Sequence, residues 1–243
     1  MTSRTPELRL RPLEGIGEIE PGVDLAALLA ERVPDGPGVL VVAQKIVSKA
    51  EGRLIDLSTV EPSERAIELA ARVDKDPRQV ELVLRESVNV VRAAPGVIIA
   101  ETRHGLICAN AGVDLSNAPG DETAVLLPVD PDASAERIRR ALGADRAVII
   151  SDTFGRPWRE GLVDVAIGLS GLSPLVDCTG TTDLRGRELQ VTVMALADQL
   201  AAAAGILMEK SAGRPAVWVE GVQPSGSGSL ADLLRDPERD LFR

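Results

Sequence analysis

Short apolar runs, each followed by polar or glycine-containing segments, recur along the 243-residue chain. Val39 to Ala43 and Ala147 to Ile150 are unbroken runs, which are typical of strands covered on both faces of a sheet. Shorter apolar or alternating runs predict further strands at 8–11, 88–92, 97–101, 106–110, 124–127, 162–170, 175–177 and 216–219.

Capping residues followed by helical spacing predict the helices between these runs. They are expected from Asp24 to Arg32, from Ser63 to Val73, from Pro77 to Ser87, from Asp132 or Ser134 to Leu142, and from Val191 to Met208. The segment GIGEIEPG at 15–22 is a loop, and it fails as a dinucleotide-binding fingerprint because Glu20 stands where the third glycine belongs.

The polarity reverses sharply after the run that ends at Ile150. Ser151, Asp152 and Thr153 follow it, and a predicted loop from Gly155 to Trp158 carries Arg156, with Arg159 just beyond. A carboxylate at a strand end followed by arginines suits a hard cation and a phosphate. An Asp-Thr pair also serves as an ordinary helix cap, and the arginines also suit a structural network of ion pairs.

Two further segments place charged or amide side chains after a strand. In QKIVSKAEG, Lys45 and Lys49 are four residues apart and share one face of a helical turn, where they would attract phosphate or form a solvated face. In ANAGVDLSNAPG, Asp114 repeats the strand-then-Asp pattern of Asp152, although turn-forming residues also explain such a loop.

Together these side chains predict a metal and phosphate site. Asp114 and Asp152 suit Mg²⁺, which is usually held by one or two carboxylates and by nucleotide phosphates, and Thr153 is a further candidate ligand. Asn117 suits a contact to a phosphate or a base, and Lys49 would neutralise charge on a transferred phosphoryl group. Neither a Walker A segment nor a kinase motif set occurs.

Composition narrows the choice of function. Aromatic residues make up 2% of the chain and the net charge is −10, which argues against nucleic-acid binding. The single histidine, His104, excludes histidine-based triads, so any metal must be held by oxygen. Cys108 and Cys178 lack zinc-site spacing and are predicted to be reduced thiols. Asp198 interrupts the longest aliphatic segment, so we predict no membrane span and a cytoplasmic protein.

Three segments carry a resemblance to a known family. AQKIVSKAEGR, ANAGVDLSN and SDTFGRPWREG, in this order, closely resemble the coenzyme F-420:L-glutamate ligases, and the resemblance runs from about Leu13 to Gly221. It implies a GTP-dependent amide ligase that adds L-glutamate to the deazaflavin coenzyme precursor F-420-0 through an acyl phosphate and extends a γ-linked glutamate tail. It also implies an unusual α+β fold with a mixed sheet and two lobes, without a P-loop or Rossmann motif, and a homodimer.

The resemblance assigns roles to particular residues. It implies metal ligands at Asp114, Asp152 and Thr153, with Asp114, Asp152 and Lys49 as catalytic residues. The implied contacts to GTP are Ile16, Gly17, Glu18, Ile19, Gln44, Lys49 and Asn117. GTP would be a co-substrate and Mg²⁺ or Mn²⁺ the metal, with K⁺ as a further candidate. Archaeal members carry a Met-Gly-Gln turn, whose Gln helps to bind a second metal, where this chain has Met208, Glu209 and Lys210. A second-metal role is therefore not expected of Lys210, and Glu209 is the alternative candidate.

The expected domain organisation is a ligase domain at 1–222 followed by a linker or tail at 223–243. Actinobacterial relatives continue into a nitroreductase-like domain after a similar linker, so this chain is expected to be one domain of such a protein. Two other functions stay open from the residues: a metal-dependent phosphatase, which the residue chemistry alone supports as well as a ligase, and a nucleotide- or deazaflavin-binding module without ligase activity.

Overall fold

The computed structural model describes residues 7–116, 120, 122–209 and 211–241. In chain order the elements are β1 (Arg9–Pro12), α1 (Leu25–Ala30), β2 (Gly38–Ala43), α2 (Gln44–Ala50), β3 (Leu54–Asp56), α3 (Glu64–Val73), α4 (Pro77–Glu86), β4 (Ser87–Ala94), β5 (Val97–Thr102), β6 (Ile107–Ala109), β7 (Thr123–Val125), α5 (Pro131–Leu142), β8 (Arg146–Arg156), β9 (Arg159–Ser170), β10 (Leu175–Asp177), β11 (Val193–Ala195), α6 (Leu196–Met208) and β12 (Ala216–Glu220).

A five-stranded mixed sheet forms the first lobe, in the order β1-β12-β2-β8-β9. Of its described neighbours, only β2 and β8 run parallel, with Val42 opposite Ile150 and Ala43 opposite Ser151. Both strands are buried on both faces, as their unbroken apolar runs predict. The parallel pairing brings the carboxyl ends of these two strands, and the polar residues that follow them, to the same edge of the sheet.

Helices cover both faces of this sheet. Helices α1 and α5 pack with Leu40, Ile150 and the buried Trp218 on one face. Helix α6 packs with Val41 and Ile149 on the other. Within the sheet, Gly38 on β2 lies against Trp218 on the neighbouring β12, and an added Cβ would lie 2.4 Å from the Trp218 ring. A glycine at this position is therefore required by packing.

The second lobe has a separate apolar core. Helices α3 and α4 pack there with the three-stranded sheet β4-β5-β6 and with the β3-β7 ribbon. Asp24, Ser63 and Asp76 cap α1, α3 and α4 with their side chains, as predicted. The α+β class with a mixed sheet and the two-lobed arrangement are therefore confirmed.

Three predicted elements were wrong in their limits. The cap of α5 is Asp130, because a proline at the first helical position follows it, whereas Asp132 accepts the backbone N–H of Leu169. The apolar segment from Val191 first forms β11 and becomes helical only at Leu196. The first half of the predicted loop at 155–158 is strand, because β8 pairs with β9 as far as Arg156, and only 157–158 form the turn.

The segment after β12 packs against the first lobe. The Ser173 N–H donates to the Ser225 carbonyl over 2.8 Å, and Leu230 is buried in the core between the sheet and α5. The boundary at 222 stays a prediction. Among the described residues, no helix has the length and apolar character needed to cross a membrane.

Candidate functional site

A pocket of about 800 Å³ opens where β2 and β8 end. It is lined by Gly17, Glu18, Ala43, Gln44, Lys45, Ile46, Lys49, Ser151, Asp152, Thr153, Leu162, Val163, Asp164, Ala202, Gly205, Ile206, Met208, Glu209, Ser211, Gly213, Arg214 and Pro215. The N-terminal loop, both central strands, α2, α6 and the loop after α6 therefore share one cavity.

Helix α2 supplies the cationic side of the pocket. It begins directly after β2, and its helical spacing turns Lys45 and Lys49 to the pocket together. The Lys49 side chain is only 8% exposed and forms an ion pair with Glu18, a carboxylate that is 72% exposed. The ammonium group of Lys49 is thus held inside the pocket by a partner that water reaches freely.

Lys45 links the pocket to the second lobe. Its Nζ lies 2.6 Å from Asp114 Oδ2 and donates to Ser116 Oγ over 2.8 Å. The N–H and hydroxyl of Ser116 donate to Asp114 over 2.8 and 2.9 Å. Burial raises the pKa of Asp114, but the hydrogen bonds and charge of Lys45 and the bonds from Ser116 outweigh it, so that this pKa is lowered. Asp114 is accordingly ionised at neutral pH.

The end of β8 and the facing β9 supply oxygen atoms to the pocket. Ser151, Asp152 and Thr153 line it, and the Thr153 hydroxyl donates to Asp164 Oδ1 over 2.5 Å across the hairpin. Asp164 was missed in the sequence. Its position opposite Thr153 could have been inferred only if β8 and β9 were already known to pair in this register.

In addition to burial, the charge of Asp152 raises the pKa of Cys108 on β6. Burial, and after it the negative charge of Asp152, raises the pKa of the Cys108 thiol to about 12. Strand β6 of the second lobe therefore lies close to the end of β8. Cys108 and Cys178 are both free thiols, as predicted.

The predicted nucleotide contacts fall into three groups. Gly17, Glu18 and Gln44 line the pocket, and the buried Gln44 side chain accepts a hydrogen bond from Ser48 over 2.8 Å. Ile16 and Ile19 instead lie in the core of the first lobe. Asn117 lies outside the described residues. None of these assignments to GTP is tested by the geometry, and they stay predictions.

The two arginines of the β8–β9 hairpin are not among the lining residues of this pocket. Arg156 donates to the Glu160 carbonyl over 2.9 Å, and Arg159 is exposed. Beyond α6, Met208 and Glu209 do line the pocket, whereas Lys210 lies outside the described residues.

The oxygen atoms at the pocket are suitable ligands for a hard divalent cation. In the described part of the chain, no three His, Cys, Asp and Glu side chains gather into a metal cluster. Mg²⁺ does not need such a cluster, since one or two carboxylates with phosphate and water suffice. Asp114 is not among the residues that line the pocket, but its carboxylate lies against Lys45, which is. The metal set Asp114, Asp152 and Thr153 is chemically suitable and stays a prediction.

Comparison with known proteins identifies the family. The family model described as F420-0:Gamma-glutamyl ligase matches residues 15–221. The chain belongs to the F420-0:gamma-glutamyl ligase family. Proteins named coenzyme F420:L-glutamate ligase are similar to it over most of their length. That of Methanopyrus kandleri is 49% identical over 98% of each chain, and that of Methanothermobacter thermautotrophicus is 46% identical over 95% of this chain and 97% of its own. That of Archaeoglobus fulgidus is 45% identical over 96% and 95%.

The range that matches the F420-0:gamma-glutamyl ligase model includes every residue that lines the pocket. It also spans both lobes, from the loop before α1 to the residue after β12. The resemblance carried by the three sequence segments is therefore confirmed at the level of the family, and the pocket belongs to the part of the chain that the family shares.

Proposed function

We propose that the chain is a GTP-dependent ligase that joins L-glutamate to the deazaflavin coenzyme F-420-0 and extends the γ-linked glutamate tail. Membership of the F420-0:gamma-glutamyl ligase family and the names of the relatives support this reaction. The observation that carries it is that Lys45 and Lys49 line the same pocket as Asp152 and Thr153, which offer oxygen atoms to it. Phosphoryl transfer needs this combination of cations and metal-binding oxygens.

The reaction has two steps. An oxygen of the coenzyme's terminal carboxylate attacks the γ-phosphorus of GTP, the bond from this phosphorus to the β,γ-bridging oxygen breaks, and GDP leaves with the electron pair. The glutamate amine then attacks the carbonyl carbon of the acyl phosphate. The bond from this carbon to the phosphate oxygen breaks, inorganic phosphate leaves, and the amine nitrogen releases a proton to solvent as the amide forms.

Each step places a different demand on the pocket. In the first, Lys49 holds the phosphate oxygens, and its buried ammonium exchanges the exposed Glu18 for a phosphate at little cost because both are anions. In the second, the pocket must exclude water, because water would hydrolyse the acyl phosphate. The net negative charge of this chain would repel both a carboxylate substrate and an anionic nucleotide. The positive charges of the lysines and of a bound cation offset this repulsion at the pocket.

Asp152, Thr153 and Asp114 are the proposed ligands of Mg²⁺ or Mn²⁺, and K⁺ remains a further candidate cation. When bound, a divalent cation neutralises phosphate charge and orients the reacting groups. Gln44, Asn117 and the backbone of the loop at 16–19 are the proposed contacts to GTP. Lys49, Asp114 and Asp152 are the proposed catalytic residues.

The proposal also includes a homodimer in the cytoplasm. Exposed apolar side chains on the β8–β9 hairpin and beside the β10-β11 ribbon support an interface there. Examples are Trp158 at 82% exposure and Leu162 at 66%. Exposed apolar side chains of this kind form a surface that a subunit contact covers.

Incubation of the protein with F-420-0, L-glutamate, GTP and Mn²⁺ tests the reaction. We expect mass spectrometry to detect the product with one or more added glutamyl residues, and one GDP and one phosphate to appear for each glutamyl residue added. Phosphate release without glutamate would indicate a phosphatase instead. Binding of the precursor without any GDP release would indicate a binding module, and either outcome would contradict the ligase.

A further inference from the structure

Asp164 on β9 is placed to act on the pocket through a neighbour. It is the register partner of Thr153, and both line the pocket. The Thr153 hydroxyl donates its only proton to Asp164 Oδ1. The lone pairs of the Thr153 oxygen therefore serve as acceptors, which is the state that a cation requires of a hydroxyl ligand.

Helix α6 meets Asp164 at a glycine. A Cβ atom added to Gly205 would lie 1.8 Å from Asp164 Oδ2 and 2.7 Å from its Cγ. Gly205 lies inside the helix and not in the left-handed region, so its backbone does not require glycine. Glycine inside a helix costs stability relative to alanine. The reason for glycine at this position is therefore the space taken by the Asp164 carboxylate.

We propose that Asp164 is a positioning residue of the pocket: it fixes the Thr153 hydroxyl oxygen toward a bound divalent cation, and Gly205 gives its carboxylate the room to do so. This inference rests on the proposed function, because it takes Thr153 as a ligand of the cation. Partners of metal ligands orient the ligand atom and raise its basicity, and their loss lowers metal affinity by about 10- to 100-fold. Asp164 performs this role by accepting the hydrogen bond of the Thr153 hydroxyl. The oxygen of an asparagine amide could accept the same bond.

Titration of the purified protein with Mn²⁺, followed by the electron paramagnetic resonance signal of the free ion, tests this without turnover. We expect Asp164→Ala to weaken Mn²⁺ binding by about tenfold. Asp164→Asn keeps an oxygen acceptor for the Thr153 hydroxyl and should bind as the wild type does. Equal losses in both variants would overturn the positioning role, because they would show that the carboxylate charge itself is needed.

A double-mutant cycle then shows whether Asp164 acts through Thr153. Thr153→Ala should lower the Mn²⁺ affinity about as much as Asp164→Ala does, and the combined variant should lose no more than either one. Additive losses would contradict action through the hydroxyl. In steady-state assays, Asp164→Ala should raise the Mn²⁺ concentration needed for half-maximal rate and leave kcat at saturating Mn²⁺ nearly unchanged.

Gly205→Ala separates the packing part of the inference from the metal part. Helix propensity alone predicts a higher melting temperature, whereas the displaced carboxylate predicts a lower one together with weaker Mn²⁺ binding. Adding Asp164→Ala to Gly205→Ala should restore the melting temperature but not the Mn²⁺ affinity. Ala203→Gly is the matched control, because it weakens the same helix at a half-buried position outside the pocket lining and should leave Mn²⁺ binding unchanged.

The outcomes distinguish this inference from the proposed function. If Asp152→Asn abolishes Mn²⁺ binding while Asp164→Ala binds like the wild type, only the positioning role is overturned. If the wild type binds no Mn²⁺ either alone or with GDP present, the proposed metal site and the positioning role are both overturned. A more stable Gly205→Ala variant with normal Mn²⁺ affinity would also overturn the inference, since the carboxylate would then not need the space.

Discussion

The two ends of the β2–β8 strand pair carry charged side chains with very different partners. At the carboxyl ends, the buried Lys49 is paired with the exposed Glu18, and Asp152 and Thr153 line an open pocket. At the amino ends, Arg146 donates to the backbone carbonyls of Pro34, Gly36 and Leu142 over 2.8 to 3.2 Å. Its guanidinium also lies 5.9 Å from the centre of the Trp218 ring.

This difference separates binding from stability. The carbonyls that bind Arg146 belong to the backbone and are fixed in position by the fold. The hydrogen bonds of Arg146 therefore hold the loop before β2 and the end of α5 in place. Glu18 is a side chain on the surface, and an anionic ligand can replace it because that ligand would supply the same charge to the buried Lys49 ammonium. The charges at the carboxyl ends are therefore available to a ligand, whereas those at the amino ends are used by the fold.

The largest expected effect is the loss of activity in Asp152→Asn. The amide keeps the size of the side chain but removes the charge that the proposed cation needs, so kcat/KM should fall by about 10³-fold. Thermal unfolding should change little, because the residue lines an open pocket. Asp35→Asn, at a fully exposed carboxylate, is the control. Full activity of Asp152→Asn would show that this end of the strand pair is not the site.

Arg146→Ala should have the opposite profile. It leaves the carbonyls of Pro34, Gly36 and Leu142 without this donor and uncovers the Trp218 ring, so the free energy of unfolding should fall by about 3 kcal/mol. Urea denaturation measures this change, with the exposed Arg65→Ala as control. The kcat/KM per folded molecule should match the wild type. A catalytic defect without a stability defect would show that the amino ends of the strand pair serve the reaction and not the stability of the fold.

Lys49→Ala should weaken nucleotide binding. A charged hydrogen bond to phosphate contributes about 2 kcal/mol, so the KM for GTP should rise by about 30-fold. Lys75→Ala removes the same charge from the second lobe and should leave the KM for GTP unchanged. An unaltered KM in Lys49→Ala would mean that the lysine serves only its pair with Glu18.

The smallest effect concerns Glu136 at the amino ends. Hydrogen bonds from Arg139 and Ser170 lower the pKa of Glu136 to about 2. Since the folded pKa lies below the unfolded value near 4.3, this stabilisation is present at neutral pH and is lost as the pH falls from about 4 to about 2. Glu136→Gln should therefore cost about 1 kcal/mol at pH 7, after discounting for solvent screening.

The difference in free energy of unfolding between Glu136→Gln and the wild type should shrink as the pH is lowered through this window. Denaturation series at several pH values measure it, with Glu68→Gln on the exposed face of α3 as control. A difference that did not change with pH would show that the charge of Glu136 is not what stabilises this end of the strand pair.

Local signals explain what the sequence could predict. The unbroken runs of β2 and β8, the caps at Ser63 and Asp76, and the spacing of Lys45 and Lys49 all depend on neighbouring residues, and the structure agrees with each. The start of α6 was predicted too early, at Val191, because an apolar segment without clear periodicity fits both a strand and a helix.

The missing parts of the site depend on distant residues. Asp164 faces Thr153 only through the β8–β9 pairing, whose register shifts between Ile150 and Ser151. The hydrogen bond from Lys45 to Ser116, which accompanies the ion pair with Asp114, joins residues 71 positions apart, and no local pattern predicts it. Pairings over such separations arise from the tertiary fold. Candidate site residues could therefore be predicted from one sequence, but their arrangement could not.

The parallel pairing of β2 with β8 also has a consequence for the order of folding. The two strands lie more than 100 residues apart, and the whole second lobe is inserted between them. Closing so long a loop costs conformational entropy before any contact forms, and long-range parallel pairing is intrinsically slow. The second lobe, whose contacts are more local, would shorten this loop by folding first. The pocket at the strand ends would then be among the last parts of the molecule to assemble during folding.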